Sequence, residues 1–142
     1  MPRQPVRVVA AALARRGPAG PQILIAQRPP GSWREGWWEF PGGKIEAGET
    51  DEAALHRELQ EELGVRITAQ VPLGSFVHDY TGNSVEILLW LVTDFEGEAR
   101  GLDGQALRWV APLELEACGL LEADQPMIQP LRAALEGVTI AR

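Results

Sequence analysis

The sequence predicts an α+β fold, a mixed β-sheet held between helices in an α/β/α sandwich. Three observations carry this expectation. Apolar, β-branched runs of strand length recur between clusters of Gly, Pro and Asn. A strongly capped helical segment interrupts them at mid-chain, and a second helical segment follows near the end. Strands interleaved with helices bury their faces best as layers. No repeat, low-complexity stretch or linker divides residues 1–142, so one domain is expected.

Val6–Ala14 is a valine- and alanine-rich run with the character of a buried strand. Arg15–Pro21, holding two Gly and two Pro, reads as a turn, and Gln22–Arg28 as its hairpin partner. Pro29–Trp38 is a loop rich in Pro, Gly and Trp; a short strand around Trp38–Phe40 then runs into Pro41–Gly42–Gly43. The clearest helix follows. Thr50 is an N-cap, Asp51 and Glu52 suit the positive end of the helix dipole, and Gly64 closes it. Val65–His78 and Ser84–Phe95 read as strands joined by a turn at Tyr80–Asn83, and Gln105–Val110 as a shorter strand. Pro112–Ala117 suits one or two helical turns. The last helix is expected over Gln125–Leu135, with Pro126 in its first turn and Pro130 forcing a kink or a later start.

Composition bounds the function. The chain is 45% hydrophobic and 23% charged, ordinary for a globular protein. A net charge of −7 gives no diffuse attraction to nucleic-acid backbones, which argues against duplex binding. A small phosphorylated ligand could still bind through divalent cations held between carboxylates and phosphates. No apolar run approaches the ~20 residues of a membrane helix. The single cysteine, Cys118, excludes an intramolecular disulfide, and Met1–Gln4 leads straight into a strand-like run without a signal-peptide pattern, so a reducing cytoplasm is the expected compartment. His56 and His78 are isolated, and neither they nor Cys118 show zinc spacing.

The chemistry concentrates in the mid-chain helix. At 100° per residue, Glu58, Glu61 and Glu62 share one sector while Leu55, Leu59 and Leu63 occupy the next. Three carboxylates on one face without matching lysines repel one another, a poor helix surface unless cations bind there. The alternative, a solvated acidic face, is the commoner meaning of such a stripe.

The residues before the helix decide between the two. From Gly43 to Val65 the chain reads GKIEAGETDEAALHRELQEELGV, which resembles the Nudix box G-x5-E-x7-R-E-U-x-E-E-x-G-U, U being aliphatic. Every fixed position is matched, by Gly43, Glu49, Arg57, Glu58, Leu59, Glu61, Glu62, Gly64 and Val65. The resemblance implies that Glu58, Glu61 and Glu62, with the carbonyl of Gly42, hold Mg²⁺ or Mn²⁺ for attack of water on a phosphoryl group. It further implies that Arg57 pairs with Glu49 to orient the loop. Glu61 belongs to the catalytic set, and the general base is left open among Glu58, Glu49 and Asp103.

The likeness extends beyond the box. WEFPGGKIEAGET (Trp38–Thr50), Asp103–Gly104–Gln105 with Trp109, and Ala123–Asp124–Gln125–Pro126 are similar to the MutT-type branch, whose members convert nucleoside triphosphates, among them 8-oxo-dGTP, to the monophosphate and pyrophosphate. That implies substrate contacts from Arg28, Phe40, Lys44 and Asp124 in a monomer or homodimer. Asp103 is otherwise a turn residue, Arg28 a strand end, Phe40 core, and Asp124 the N-cap of the last helix. The chain departs from MutT at Asp124, where MutT has asparagine; the cytidine-type branch has aspartate. An ionised carboxylate only accepts: it suits cytosine N4–H directly, whereas with oxidised guanine it can accept from N7–H but repels O6 unless it is protonated. Of the five tryptophans, Trp33 and Trp37 are the candidates for a lid. A catalytically silent nucleotide sensor is the rival of another class; it should have lost a box glutamate, and none is lost here.

Overall fold

The computed structural model describes residues 4–141; most of the Met1–Gln4 segment, and the ends of the 1–142 domain expectation, lie outside the described residues. The elements are β1 (Val6–Gly17), β2 (Gly20–Gln27), β3 (Trp38–Glu39), β4 (Gly42–Lys44), α1 (Asp51–Leu63), β5 (Arg66–Tyr80), β6 (Asn83–Glu96), β7 (Leu107–Val110) and α2 (Ile128–Glu136). Two 3-10 segments, Pro112–Ala117 and Gln125–Met127, precede α2.

The sheet runs β3-β2-β1-β6-β5, with β4 paired to β1 and β7 to β2. It is mixed: β1 lies parallel to β6 from Val6↔Val85 to Leu13↔Val92, whereas β2, β4 and β7 join antiparallel. β1 is covered on both faces, and strand alternation sorts its side chains. Val9, Ala11 and Leu13 face Ala54, Leu55, Leu59 and Leu63 of α1. Ala10, Ala12 and Ala14 face the layer of Leu115, Met127, Ile128 and Leu131. The sandwich expectation holds, and the leucine stripe of α1 is fully buried. Each such leucine contributes about 1.5–3 kcal/mol by leaving water.

Local chemistry explains the boundaries. Thr50 Oγ1 accepts from Ala53 N–H at 3.1 Å, and Gly64 closes α1 at φ 71°. The first turn is tighter than expected: Arg15↔Gln22, Arg16↔Pro21 and Gly17↔Gly20 pair, leaving only Pro18–Ala19 unpaired, because Gly20 takes φ 130°. Gly42–Lys44 is a strand, captured by β1. β5 continues to Tyr80, so the expected turn begins one residue later, and it carries register shifts before Gly74. Its Pro72 is tolerated because β5 is an edge strand. The last helix takes the later start: α2 begins at Ile128, which places Pro130 in the first turn, where its missing N–H costs nothing.

Candidate active site

The parallel β1–β6 pair, β3, β4 and the segment before α2 enclose a cavity of about 320 Å³. Val8, Val85, Ile87 and Leu121 form apolar wall; Phe40, Trp33 and Tyr80 add aromatic surface; Arg28, Glu39, Lys44, Glu62 and Asp124 bring charge. A second cleft of about 210 Å³ adjoins it, lined by Arg28, Glu39, Gly42, Glu62, Asp103 and Gln105. Glu62, Glu39, Arg28 and Gly42 therefore face both.

The glycine pair brings α1 up to this floor. A Cβ on Gly42 would stand 1.9 Å from the Val9 carbonyl oxygen, and one on Gly43 would stand 2.3 Å from the Glu58 carboxyl carbon. Gly42 requires glycine for space because backbone blocks a Cβ there, whereas at Gly43 the obstacle is the end of the Glu58 side chain; a positive φ plays no part at either.

Arg57 organises the acidic face. Its Nε and Nη2 bind the two oxygens of Glu49 at 2.7 and 2.9 Å, while Nη1 reaches Glu58 at 2.9 Å and Glu61 at 3.3 Å. Nη2 also donates to the Lys44 carbonyl at 3.0 Å, which ties the loop to α1. Those hydrogen bonds from Arg57, with one from Glu46 N–H, hold the Glu49 carboxyl down at about 2. The orienting pair expected from the box is thus present, and it is bidentate.

The box glutamates occupy different environments. Glu58 is largely shielded, its side chain 13% exposed, whereas the Glu61 side chain is 60% exposed and lines neither cleft. Glu62 faces both, and burial, reinforced by the charges of Glu58, Glu39 and Asp103, pushes its carboxyl up to about 8. Among the described residues no three acidic, His or Cys side chains stand close enough together to hold one ion. The donor chemistry nevertheless fits a hard divalent cation: the negative charges of Glu58, Glu39 and Asp103 all act on Glu62, and oxygen donors are what such an ion takes.

In the wall of the same cavity Asp124 is 4% exposed. Its Oδ2 accepts the Phe40 N–H at 2.9 Å, and burial pushes its carboxyl up to about 7. The helix-cap alternative for Asp124 is corrected: its side chain caps nothing, because the carboxylate turns across to Phe40, just after β3, rather than along the helix. Phe40 is both core and cavity wall. Lys44, the only lysine in the sequence, lines the cavity and has no ion-pair partner among the described residues. Arg28 is held by the Trp33 carbonyl at 2.8 Å and by Glu39 at 3.2 Å. Asp103 precedes Gly104 at φ 82° and lines the second cleft from that turn. Trp33 lines the cavity and Trp37 does not.

Sequence reasoning missed Glu39 and Tyr80. An acid inside the otherwise apolar Trp38–Phe40 strand was a signal for Glu39. Tyr80 was placed in a turn, and only the continuation of β5 turns its ring inward.

A NUDIX domain is matched over residues 5–133, and the chain belongs to the Nudix family. Within it, the chain lies in the MutT-like branch of hydrolases. It is 39% identical over 128 residues to the CTP pyrophosphohydrolase of Escherichia coli K12, covering 90% of this chain and 92% of that protein. It is 35% identical over 111 residues to the 8-oxo-dGTP diphosphatase of the same organism, covering 78% and 86%. The E. coli ORF135 protein superposes with a TM-score of 0.79 at 38% identity, covering 92% of this chain and 90% of that one. The MutT NUDIX hydrolase of Burkholderia pseudomallei superposes with 0.75 at 32%, covering 96% and 100%.

Proposed function

We propose that this chain hydrolyses nucleoside triphosphates to the monophosphate and pyrophosphate, with 8-oxo-dGTP as leading substrate and Mg²⁺ or Mn²⁺ as cofactor. The observation that carries this reading is a single cavity lined both by a buried acceptor, Asp124, and by Lys44, Gly42 and Glu62. Base and phosphates of one nucleotide would span it. Glu58, Glu61, Glu62 and the Gly42 carbonyl would hold the cation. When bound, such an ion polarises phosphoryl oxygens and lowers the pKa of water.

The protein's own groups then have separable tasks. Lys44 and Arg28 offer N–H donors to the phosphates. The apolar wall excludes water from the base. Proton acceptance falls to Glu58 or Asp103, since a Glu49 carboxyl held near 2 is a weak base. The Asp124 acceptor favours a second reading, cytidine triphosphates, whose N4 amino group it suits directly. The chain would act as one domain, as monomer or homodimer, in a reducing cytoplasm; among the described residues no helix is long and apolar enough to cross a membrane.

The test is a panel of 8-oxo-dGTP, dGTP, CTP, dCTP and ADP-ribose with pyrophosphate detection, run with Mg²⁺, with Mn²⁺ and after chelation. Turnover of 8-oxo-dGTP that disappears on chelation and returns with metal is expected. Full turnover in thoroughly chelated protein would overturn the metal dependence, and nucleotide binding without turnover would leave a sensor.

A further inference from the structure

Tyr80 ends β5 and lines the same cavity as Asp124, Phe40 and Trp33. Its ring is fixed on two sides, edge-on to Trp33 with centroids 4.8 Å apart and tilted on His78 at 4.4 Å. Its hydroxyl oxygen accepts the Ala123 N–H at 3.1 Å. A phenol that accepts with its lone pairs still has one proton to give. Among the described residues no acceptor is hydrogen-bonded to that proton. Burial, with the nearby charges of Glu122 and Asp124, keeps the phenol protonated.

The neighbouring acceptor is in a matching condition. Asp124 follows Ala123 directly; its Oδ2 is engaged by Phe40 N–H, and among the described residues nothing donates to its Oδ1. One hydroxyl donor and one carboxylate acceptor are therefore fastened side by side through consecutive residues, both at the wall of one cavity.

We propose that Tyr80 is a specificity-determining residue, its hydroxyl donating to a ring acceptor of the base whose adjacent N–H is taken by Asp124. This rests on the nucleoside triphosphate reading above and narrows it. The pair suits a base edge with a donor next to an acceptor. Cytosine presents this as N4–H beside N3, and 8-oxoguanine as N7–H beside O6. The same edge of unoxidised guanine shows two acceptors and would set a lone pair against Asp124. A site built around such a bond rejects the analogue that lacks it, because its own polar group is then left unpaired.

The test compares Tyr80→Phe with the unaltered protein on CTP, on 3-deaza-CTP (carbon in place of N3), on 8-oxo-dGTP and on dGTP. Tyr80→Phe keeps the ring and deletes only the oxygen. For CTP, kcat/KM should fall about tenfold, while the value for 3-deaza-CTP should barely move, and the preference for 8-oxo-dGTP over dGTP should narrow. An equal fall on CTP and 3-deaza-CTP would reduce Tyr80 to a fastener of Ala123 and overturn the proposal. The unaltered protein supplies an independent check that needs no variant to fold: if it turns over CTP and 3-deaza-CTP alike, Tyr80 reads nothing. Turnover of none of the four triphosphates would instead remove the proposed function itself.

Discussion

The main-chain N–H of Phe40 donates to Oδ2 of Asp124 at 2.9 Å, joining positions 84 residues apart in the chain. This bond fixes the floor of the cavity where β3 meets the segment leading into α2. It also places a carboxylate in almost complete burial, where its charge is costly.

That cost makes stability depend on pH. Burial raises the Asp124 carboxyl from 3.8 to about 7. A group raised in the folded state contributes stability that is full below its unfolded value and is lost as pH rises through the folded one. Unfolding free energy should therefore decline from about pH 4 to about pH 7, by at most about 1.4 kcal/mol for each pH step of one. Asp124→Asn retains an oxygen for Phe40 N–H and should flatten this decline. Urea titrations of both proteins across that range measure it, and parallel slopes would contradict the assignment. The same variant should move the kcat/KM ratio between 8-oxo-dGTP and dCTP, by ~1–3 kcal/mol if the carboxylate reads the base.

Arg57 connects Glu49, Glu58 and Glu61 to the Lys44 carbonyl. Arg57→Ala leaves those carboxylates facing one another, so both Tm and turnover should drop. Arg57→Lys should restore neither fully, because one ammonium cannot bridge both Glu49 oxygens. The Glu49 carboxyl is lowered from 4.5 to about 2, so its contribution is present above pH 4.5 and lost as pH falls through 2. Acid unfolding of Arg57→Ala, followed by circular dichroism, should accordingly begin at higher pH than in the unaltered protein.

Glu61 and Glu62 are adjacent, but only Glu62 lines the cleft, where it is half-buried. Glu62→Gln removes a carboxylate that burial and like charges disfavour, and should raise stability at neutral pH by about 1–2 kcal/mol. Glu61→Gln should leave stability level or slightly higher. Both should reduce kcat by at least ~10²-fold, the scale of losing a metal or acid–base function. Near-normal turnover in either would remove that residue from the catalytic set.

The two glycines should separate folding from chemistry. Gly42→Ala drives a methyl into the Val9 carbonyl, a backbone atom that cannot yield, so stability should collapse. In Gly43→Ala the obstacle is the end of the flexible Glu58 side chain, which can swing away. That variant should fold with near-normal Tm and lose most of its activity. Thermal unfolding beside turnover distinguishes the two, and equal losses of Tm would contradict the distinction.

The sequence alone determined what repeats locally. The buried-strand character of Val6–Ala14, the Thr50 and Gly64 caps, and the two stripes of α1 depend on neighbours within a few residues, and each was legible in the chain itself. Helical periodicity likewise announced the acidic face, and the resemblance to the Nudix box implied the Arg57–Glu49 pair. What only the tertiary structure decided are contacts between distant segments. Asp124 had the sequence appearance of a cap, yet its carboxylate crosses to Phe40. Glu39 became part of the site because β3 pairs with β2 beside Arg28, and Tyr80 turned inward because β5 outran the expected turn. Sidedness, burial and the resulting charge of a carboxylate depend on which strands pair across the sheet, and spacing along the chain carries no record of that.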